Sequence, residues 1–228
     1  PVLGEKDELD MGARLYPHLI KASGGAYANK AVQRDMRNFA EPLFRTSLRA
    51  FQWEITVIDD ETPNSWVLPT GKMAVNKGLL RYVANEHELA AVIAHEMAHA
   101  EKSHAVAEMK GKPLETLDGP MMELVSSGYS LANEQDADRH ILTMFQSTGH
   151  DPKKATGVFR TLLEIMPAGG TTSLFNTHAG TRERIAALDA AAQPLPPAAA
   201  QPANPGYAGI KQTFPTRQVF RRIPAAQN

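Results

Sequence analysis

Residues 95–99 read His-Glu-Met-Ala-His, a run that brings two imidazoles and one carboxylate close together. An α-helix turns by about 100° per residue, so His95 and His99 lie on one face, one turn apart. Both rings can then reach a single metal ion. Glu96 is offset from that face, and its carboxylate can contact a water molecule beside the metal without binding the metal. The run therefore predicts a zinc site that carries its own general base.

The residues before this run predict a buried helix. Asn85 suits an N-cap, Glu88 follows three residues later, and residues 89–94 are apolar. Two imidazoles and a carboxylate buried in such a helix without partners would destabilise the fold by several kcal/mol. A bound metal removes that penalty. The alternative is an exposed helix face whose histidines are incidental.

A zinc site of this kind needs a third protein ligand and leaves its fourth position to water. The apolar spacing of residues 121–146 predicts a second helix, on which Glu134 and Asp138 lie one turn apart. Glu134 is the predicted third ligand, and Asp138 is expected to accept a hydrogen bond from the far nitrogen of a ligand histidine. Asp136 points elsewhere on that helix and is expected to face solvent. The alternative is an acidic, solvated helix face with no role in metal binding.

The metzincin class of zinc peptidases is excluded by spacing. That class needs glycine and histidine at the positions held here by Lys102 and Ala105. His104 is one residue away from the required place and lies about 140° around the helix from His99. We expect His104 to pack or to cap nearby, not to bind the metal.

The H-E-x-x-H run combined with Glu134 and Asp138 resembles the ligand pattern of the gluzincin metallopeptidases, and in detail peptidase family M48 with its soluble periplasmic type. Three further stretches are similar to the edge strand and hairpin of that family, its lead-in to the zinc helix, and its late His and Arg pair: residues 64–80, 88–92 and 177–184. The resemblance covers roughly residues 5–190.

This resemblance implies a fold, a cofactor and roles for two later residues. The fold is a zincin-like α+β domain, mainly helical, with an active-site helix, a small antiparallel sheet and a second ligand-bearing helix. The cofactor is one Zn²⁺ per chain, held by His95, His99 and Glu134. His178 is implied to donate a hydrogen bond to the oxyanion, and Arg184 either to fix the His178 loop or to pair with an acidic group. The alternatives are a surface histidine and a solvated arginine.

The family usually has proline after its late histidine. Here Ala179 and Gly180 occupy that place, so we expect a looser loop around His178.

Composition limits the class of protein. The chain has 228 residues, no cysteine and a formal net charge of −1, which suits one globular domain and offers no basic surface for nucleic acid. No apolar run reaches the roughly 18 to 20 residues that span a bilayer. The chain begins with Pro1 rather than Met, so we expect that an upstream segment has been removed or is not included, for which a signal peptide or a lipid anchor is a candidate. The resemblance favours the bacterial periplasm or outer membrane.

Apolar spacing predicts the remaining elements. They are helices over residues 5–22, 29–48, 151–165 and 181–192, and strands over residues 52–58, 65–68 and 72–75. From residue 193 the composition changes to Pro, Ala and Gln, which predicts an extended linker. We therefore divide the chain into a metallopeptidase domain, 1–192, and a C-terminal tail, 193–228. Residues 209–223 mix aromatic and basic side chains and either dock on a protein surface or stay disordered.

The expected function is zinc-dependent hydrolysis of peptide bonds in protein quality control of the bacterial envelope. Glu96 acts as general base, and the substrates are unfolded or misassembled polypeptides. One alternative is a zinc-stabilised chaperone-like or protein-binding module with weak or latent proteolysis. Another is a zinc hydrolase that acts on a non-peptide amide. The intact ligands and general base favour the peptidase.

Overall fold

The computed structural model describes residues 5–109, 118–165, 178, 182–197 and 203–217. Helices form most of this part of the chain and surround one small sheet, which confirms the predicted, mainly helical α+β fold. In chain order the elements are α1 (Glu5–Ala22), α2 (Lys30–Phe44), β1 (Glu54–Ile58), β2 (Ser65–Val67), β3 (Lys72–Asn76), α3 (Lys77–Leu80), α4 (Glu86–Glu101), α5 (His104–Glu108), α6 (Asp118–Ser127), α7 (Leu131–Thr148), a 3₁₀ turn (Pro152–Lys154), α8 (Gly157–Ile165), α9 (Arg182–Ala192) and α10 (Pro205–Thr213).

Helix α4 is the central element of the fold. Its start is capped as predicted: the Asn85 side chain accepts a hydrogen bond from the Glu88 N–H (3.1 Å), and the Glu88 carboxylate accepts one from the Ala84 N–H (2.8 Å). Every residue from 88 to 100 is buried. A helix that is covered on all sides lies inside the protein, so the polar side chains that it carries need partners there.

The sheet has the strand order β1-β3-β2. β2 runs antiparallel to β3, with Trp66 opposite Ala74, and the turn between them contains Gly71 with a φ of 77°. β1 lies on the other side of β3 and is parallel to it, with Ile55 opposite Met73. The predicted antiparallel sheet is therefore corrected to a mixed sheet. The chain passes from β1 to the far side of β3 before it turns back, so β1 and β3 run in the same direction.

The sheet separates two apolar clusters. Alternate residues of β3 face opposite sides, so Met73 and Val75 join the larger cluster and Ala74 joins the smaller one. The larger cluster packs the sheet against α2, α4, α7 and α8, and the smaller packs it against α1, α5 and α6. Among the described residues, no helix combines the length and the apolar character that crossing a membrane requires.

The helix predicted over residues 121–146 is in fact two helices, α6 and α7. Gly128, with a φ of 89°, ends α6, and its N–H donates to the Leu124 carbonyl (2.8 Å). Leu124 packs in the smaller cluster and Ile141 in the larger one. The apolar residues that predicted a single helix therefore pack in two different clusters. Helix α2 likewise ends at Phe44 rather than at residue 48.

The extended linker predicted after residue 193 is wrong for residues 205–213, which form α10. The Asn204 side chain caps this helix by accepting a hydrogen bond from the Gly206 N–H (2.9 Å). Helix α10 packs on α2, and Ile210 and Phe214 are buried in the larger cluster. The buried core therefore continues past the predicted domain boundary. Residues 198–202 and 218–228 of the predicted tail lie outside the described part of the chain.

Candidate metal centre

Helix α4 directs two imidazoles to one point inside the protein. The Nε2 atoms of His95 and His99 lie 3.1 Å apart, and both side chains are buried. The helix period brings the two rings to one face, as the sequence predicts. Glu96 follows His95 and is also buried. The run at residues 95–99 is therefore internal, and the alternative of an exposed face with incidental histidines is wrong.

Helix α7 packs along α4 and supplies two carboxylates. Glu134 Oε2 lies 3.2 Å from His95 Nε2, and Glu134 Oε1 lies 3.4 Å from His99 Nε2. Asp138 Oδ1 lies 3.2 Å from His95 Nδ1, the nitrogen on the far side of that ring. The structure therefore brings Glu134 to the place expected for a third ligand and Asp138 to the place expected for the partner of a ligand ring.

His178 enters the same cluster from a distant part of the sequence. Its Nδ1 lies 3.1 Å from His95 Nε2 and 3.0 Å from Glu134 Oε1, and its Nε2 lies 3.3 Å from Glu96 Oε1. The side chain is buried, so the alternative of a surface histidine is wrong. Residues 179 and 180, where we expect a looser loop, lie outside the described part of the chain.

Arg184 of α9 binds both carboxylates of α7. Its Nε and one terminal nitrogen donate to the two oxygens of Asp138, each at 2.8 Å, and its other terminal nitrogen lies 2.7 Å from Glu134 Oε2. A bidentate guanidinium–carboxylate pair is both strong and directional. Of the two roles expected for Arg184, the structure shows the pairing with acidic groups. The side chain is buried, not solvated.

The geometry of the cluster fits a metal ion. Ligand atoms from His95, His99, Glu134 and His178 all lie within 4.8 Å of one another. Ligands that bind tetrahedral zinc at about 2.0 to 2.1 Å are about 3.3 Å apart. The five contacts among these residues given above, which involve both oxygens of Glu134, measure between 3.0 and 3.4 Å. Ring nitrogens that face one another at 3.1 Å cannot all carry protons, and a cation among their lone pairs removes the repulsion. Nitrogen and carboxylate oxygen are ligands that zinc prefers.

Burial and neighbouring charges set the protonation of these groups. Burial lowers the pKa of His99 to about 3, so its ring is neutral and has a lone pair to offer. Burial also acts to lower the pKa of His178, but the carboxylates of Glu134 and Glu96 outweigh it and raise that pKa to about 10. Burial acts to raise the pKa of Glu134, but the charge of His178 lowers it. A bound cation replaces ring protons, so metal binding and proton release are linked.

Ser65, at the start of β2, received no role from the sequence. Its hydroxyl donates a hydrogen bond to Glu96 Oε1 (2.6 Å), and both side chains are fully buried. Glu96 Oε2 has no hydrogen-bond partner among the described residues. One oxygen of the carboxylate is therefore held and the other is left available. No spacing signal marks Ser65, because it reaches Glu96 only through the packing of β2 on α4.

Tyr129 is a second residue that the sequence left without a role at the site. Its ring stacks on the His99 ring, with centroids 3.9 Å apart and an interplanar angle of 15°. Tyr129 lies in the break between α6 and α7. Because the sequence predicted one continuous helix here, it could not show that the Tyr129 ring lies against His99.

His104 packs next to the cluster, as expected, but not where a continuous helix would place it, and Asp136 does not take the position expected for it. Ser103 follows the end of α4 with φ 53° and ψ 38°, so α5 starts in a new direction. His104 Nδ1 consequently lies 3.0 Å from His99 Nδ1 instead of on another side of the same helix. Asp136, expected to face solvent, lies 3.4 Å from His104 Nε2 and 2.9 Å from Lys102 Nζ. Both residues therefore stand next to the cluster.

The chain is similar to known metallopeptidases. A profile of Peptidase family M48 matches residues 26–118. Mitochondrial metalloendopeptidase OMA1 of Schizosaccharomyces pombe is 34% identical over 159 residues, 60% of this chain and 46% of that protein. Metalloprotease YcaL of Escherichia coli is 26% identical over 141 residues, 53% of this chain and 55% of YcaL. The Beta-barrel assembly-enhancing protease of Yersinia pestis is 27% identical over 123 residues, 42% of this chain and 25% of that protein. The chain thus spans about half or less of the length of these relatives.

Proposed function

This chain belongs to peptidase family M48, and we propose that it hydrolyses peptide bonds with a bound zinc ion. One observation carries the proposal: His95, His99 and Glu134 converge inside the protein, and Glu96 lies beside them with one carboxylate oxygen unpaired among the described residues. Metal-assisted hydrolysis needs this combination of ligands and a separate base.

His95, His99 and Glu134 are the residues that would hold zinc. When bound, zinc supplies a Lewis acid that polarises water and the substrate carbonyl. Asp138 faces the far nitrogen of His95, and Arg184 holds both carboxylates of α7 in place. Such outer partners keep ligand side chains oriented, and their loss typically weakens metal affinity by about 10- to 100-fold.

Glu96 is the proposed general base. The Ser65 hydroxyl holds Oε1, so Oε2 can accept a proton from the attacking water. The same carboxylic acid then passes this proton to the leaving amine. Since both residues are fully buried, the carboxylate keeps its orientation throughout the reaction.

His178 is the proposed donor to the oxyanion. Its Nε2 lies 3.3 Å from Glu96 Oε1, so the ring stands on the side of the cluster where the base works. A ring N–H aimed at the carbonyl oxygen stabilises the negative charge that develops there. The position of His178 Nδ1 among the ligand atoms also suits a fourth ligand. Measuring zinc content in a His178 variant separates the two roles.

For substrates and location we propose unfolded or misassembled polypeptides in the bacterial periplasm or at the outer membrane. The support comes from two bacterial relatives, Metalloprotease YcaL and the Beta-barrel assembly-enhancing protease. The name of the second relative refers to the assembly of β-barrels. The OMA1 relatives are mitochondrial, so similarity at the site does not by itself specify a compartment. Fractionation of the native host tests the location.

Casein turnover and elemental analysis of the wild type and Glu96→Gln test the activity. We expect about one zinc per chain in both proteins and turnover in the wild type alone, because the amide cannot accept the proton. Absence of a stoichiometric transition metal, or equal turnover by both proteins, would contradict the proposal. Zinc without turnover in the wild type would favour the chaperone-like alternative. Zinc lost from Glu96→Gln would make Glu96 a ligand.

A further inference from the structure

We infer that His104 and Asp136 form a hydrogen-bonded relay that fixes which nitrogen of His99 faces the metal. This inference rests on the metal-binding part of the proposed function. The two residues act through His99 and do not contact the reacting atoms, so they are positioning residues.

The first step concerns the two nitrogens of His99. Its Nε2 faces His95 Nε2 at 3.1 Å and Glu134 Oε1 at 3.4 Å, so this is the nitrogen on the ligand side. A neutral imidazole that offers its Nε2 lone pair carries its proton on Nδ1. That Nδ1 lies 3.0 Å from His104 Nδ1. His99 must therefore donate to His104, and His104 Nδ1 must be the unprotonated nitrogen.

The second step follows for His104. If its Nδ1 accepts a hydrogen bond, its own proton lies on Nε2. That atom lies 3.4 Å from Asp136 Oδ2, the only carboxylate oxygen paired with it in the described part of the chain. Asp136 is itself held by Lys102 Nζ at 2.9 Å and by an Arg139 terminal nitrogen at 3.1 Å. The carboxylate at the end of the relay is therefore fixed.

The backbone positions His104 for this task. Ser103 has the left-handed conformation, which is uncommon for a residue with a side chain. Arg49 donates a hydrogen bond to the Ser103 hydroxyl (2.6 Å) and so holds the turn. His104 and His99 are buried, which leaves solvent little room to compete for their contact.

The relay matches the arrangement at the other ligand histidine. His95 Nδ1 lies 3.2 Å from Asp138, whose carboxylate is held by Arg184. His99 has an equivalent series of contacts with one more imidazole in it. His99 contacts His104, His104 contacts Asp136, and Asp136 pairs with Lys102 and Arg139. Each ligand ring thus has its far nitrogen turned to a group that ends in a fixed carboxylate, the pattern that orients metal-binding histidines in general.

Chelator competition for zinc tests the relay without using activity. We expect His104→Ala to weaken zinc affinity by about 10- to 100-fold. His104→Asn should restore most of the affinity, because the asparagine oxygen stands two bonds from Cβ, as histidine Nδ1 does, and can accept from His99. Asp136→Ala should weaken affinity by a smaller factor. The matched control is His140→Ala, which removes a histidine of α7 that pairs with Glu101 of α4 (2.8 Å).

Long-range ¹H–¹⁵N spectra of the zinc-loaded wild type show directly which ring nitrogen of His104 carries the proton. Because this measurement needs no substitution, it tests the relay even if a variant fails to fold. We expect the His104 proton on Nε2; a proton on Nδ1 would overturn the relay. Unchanged affinity in His104→Ala, or no recovery in His104→Asn, would overturn it too. A protein that binds no zinc overturns both the relay and the proposed function. Zinc binding weakened in His104→Ala, with no peptidase activity in the wild type, upholds the relay while the proposed function fails.

Discussion

Ser65 and Glu96 show how one hydroxyl can orient a general base. The hydrogen bond from Ser65 is short at 2.6 Å and is made away from solvent, where a bond to a charged group is worth about 1.5 to 3 kcal/mol. We expect Ser65→Ala to lower kcat by about tenfold or more, because the carboxylate loses its fixed orientation. Zinc content should stay at the wild-type level, since Ser65 contacts no proposed ligand. Steady-state kinetics with elemental analysis checks this, and an unchanged kcat would return Ser65 to a packing role.

The geometry allows His178 two roles, donor to the oxyanion or fourth metal ligand, and experiment must separate them. A donor that acts only in the transition state should lower kcat by about 10²- to 10³-fold when removed, with little change in KM. His178→Phe keeps an aromatic ring but cannot donate, so this substitution should show that pattern with zinc retained. Kinetics and metal analysis of the same preparation decide the matter. Loss of zinc would make His178 a ligand, and a near-normal kcat would direct attention to Tyr129.

At the scale of elements, His87 and His150 join the start of α4 to the end of α7. Their Nδ1 atoms lie 3.2 Å apart, and the Asp151 N–H donates to His87 Nδ1 (3.2 Å). Burial, assisted by His87, lowers the pKa of His150 to about 4, and burial also lowers the pKa of His87. Both rings are therefore neutral in the folded protein near pH 7.

A pH dependence of stability follows from this pair. The unfolded His150 has a pKa of about 6.5, so the unfolded chain binds more protons between pH about 6.5 and about 4, and the free energy of unfolding falls as the pH falls through that window. We expect a melting temperature that drops over this range, and a smaller drop in His150→Gln. His18→Gln, at an exposed position of α1, is the control. Equal pH dependence in wild type and His150→Gln would show that other groups control acid unfolding.

Signals within a few residues explain which elements could be predicted. The Asn85 cap and the spacing of His95 and His99 lie inside one helix, and the same is true of Glu134 and Asp138. Their relative positions follow from the helix period alone. The contact between His104 and His99 could not be predicted in this way, because it depends on where α4 ends. A single left-handed residue changed the direction of the chain.

At the scale of the whole molecule, α10 completes the core. Ile210 and Phe214 are almost fully buried, and burying a side chain of this kind stabilises a fold by about 1.5 to 3 kcal/mol. Lys211 Nζ also donates to the carbonyls of Leu80 and Val83, each at 2.9 Å. We expect a chain that ends at residue 197 to melt at a clearly lower temperature than the full chain, as measured by circular dichroism.

The matched control for this truncation is a chain that ends at residue 217, which keeps α10 and removes only the residues after it. It should melt close to the full chain. Equal melting temperatures for the chains ending at 197 and 217 would show that α10 adds nothing to stability and would restore a domain that ends at residue 192.

Composition concealed this helix for a physical reason. A stretch rich in Pro, Ala and Gly has few apolar side chains to suggest packing, yet its small residues permit a close approach of two backbones. A Cβ added at Gly206 would lie 2.4 Å from the Asp35 carbonyl oxygen of α2. The parallel pairing of β1 with β3 was hidden for a similar reason, because it joins residues that are distant in sequence. Contacts of this kind depend on the assembled fold and leave no local pattern.

The backbone at Ser103 sets a limit on engineering this protein for heat resistance. Glycine adopts the left-handed conformation without the penalty of about 1 to 2 kcal/mol that other residues carry, so a search for stabilising substitutions would select Ser103→Gly. That change would also remove the hydroxyl that accepts a hydrogen bond from Arg49. The turn that positions His104 would then be less restrained. If His104 orients His99 as inferred, thermal stability and zinc affinity compete at this one position.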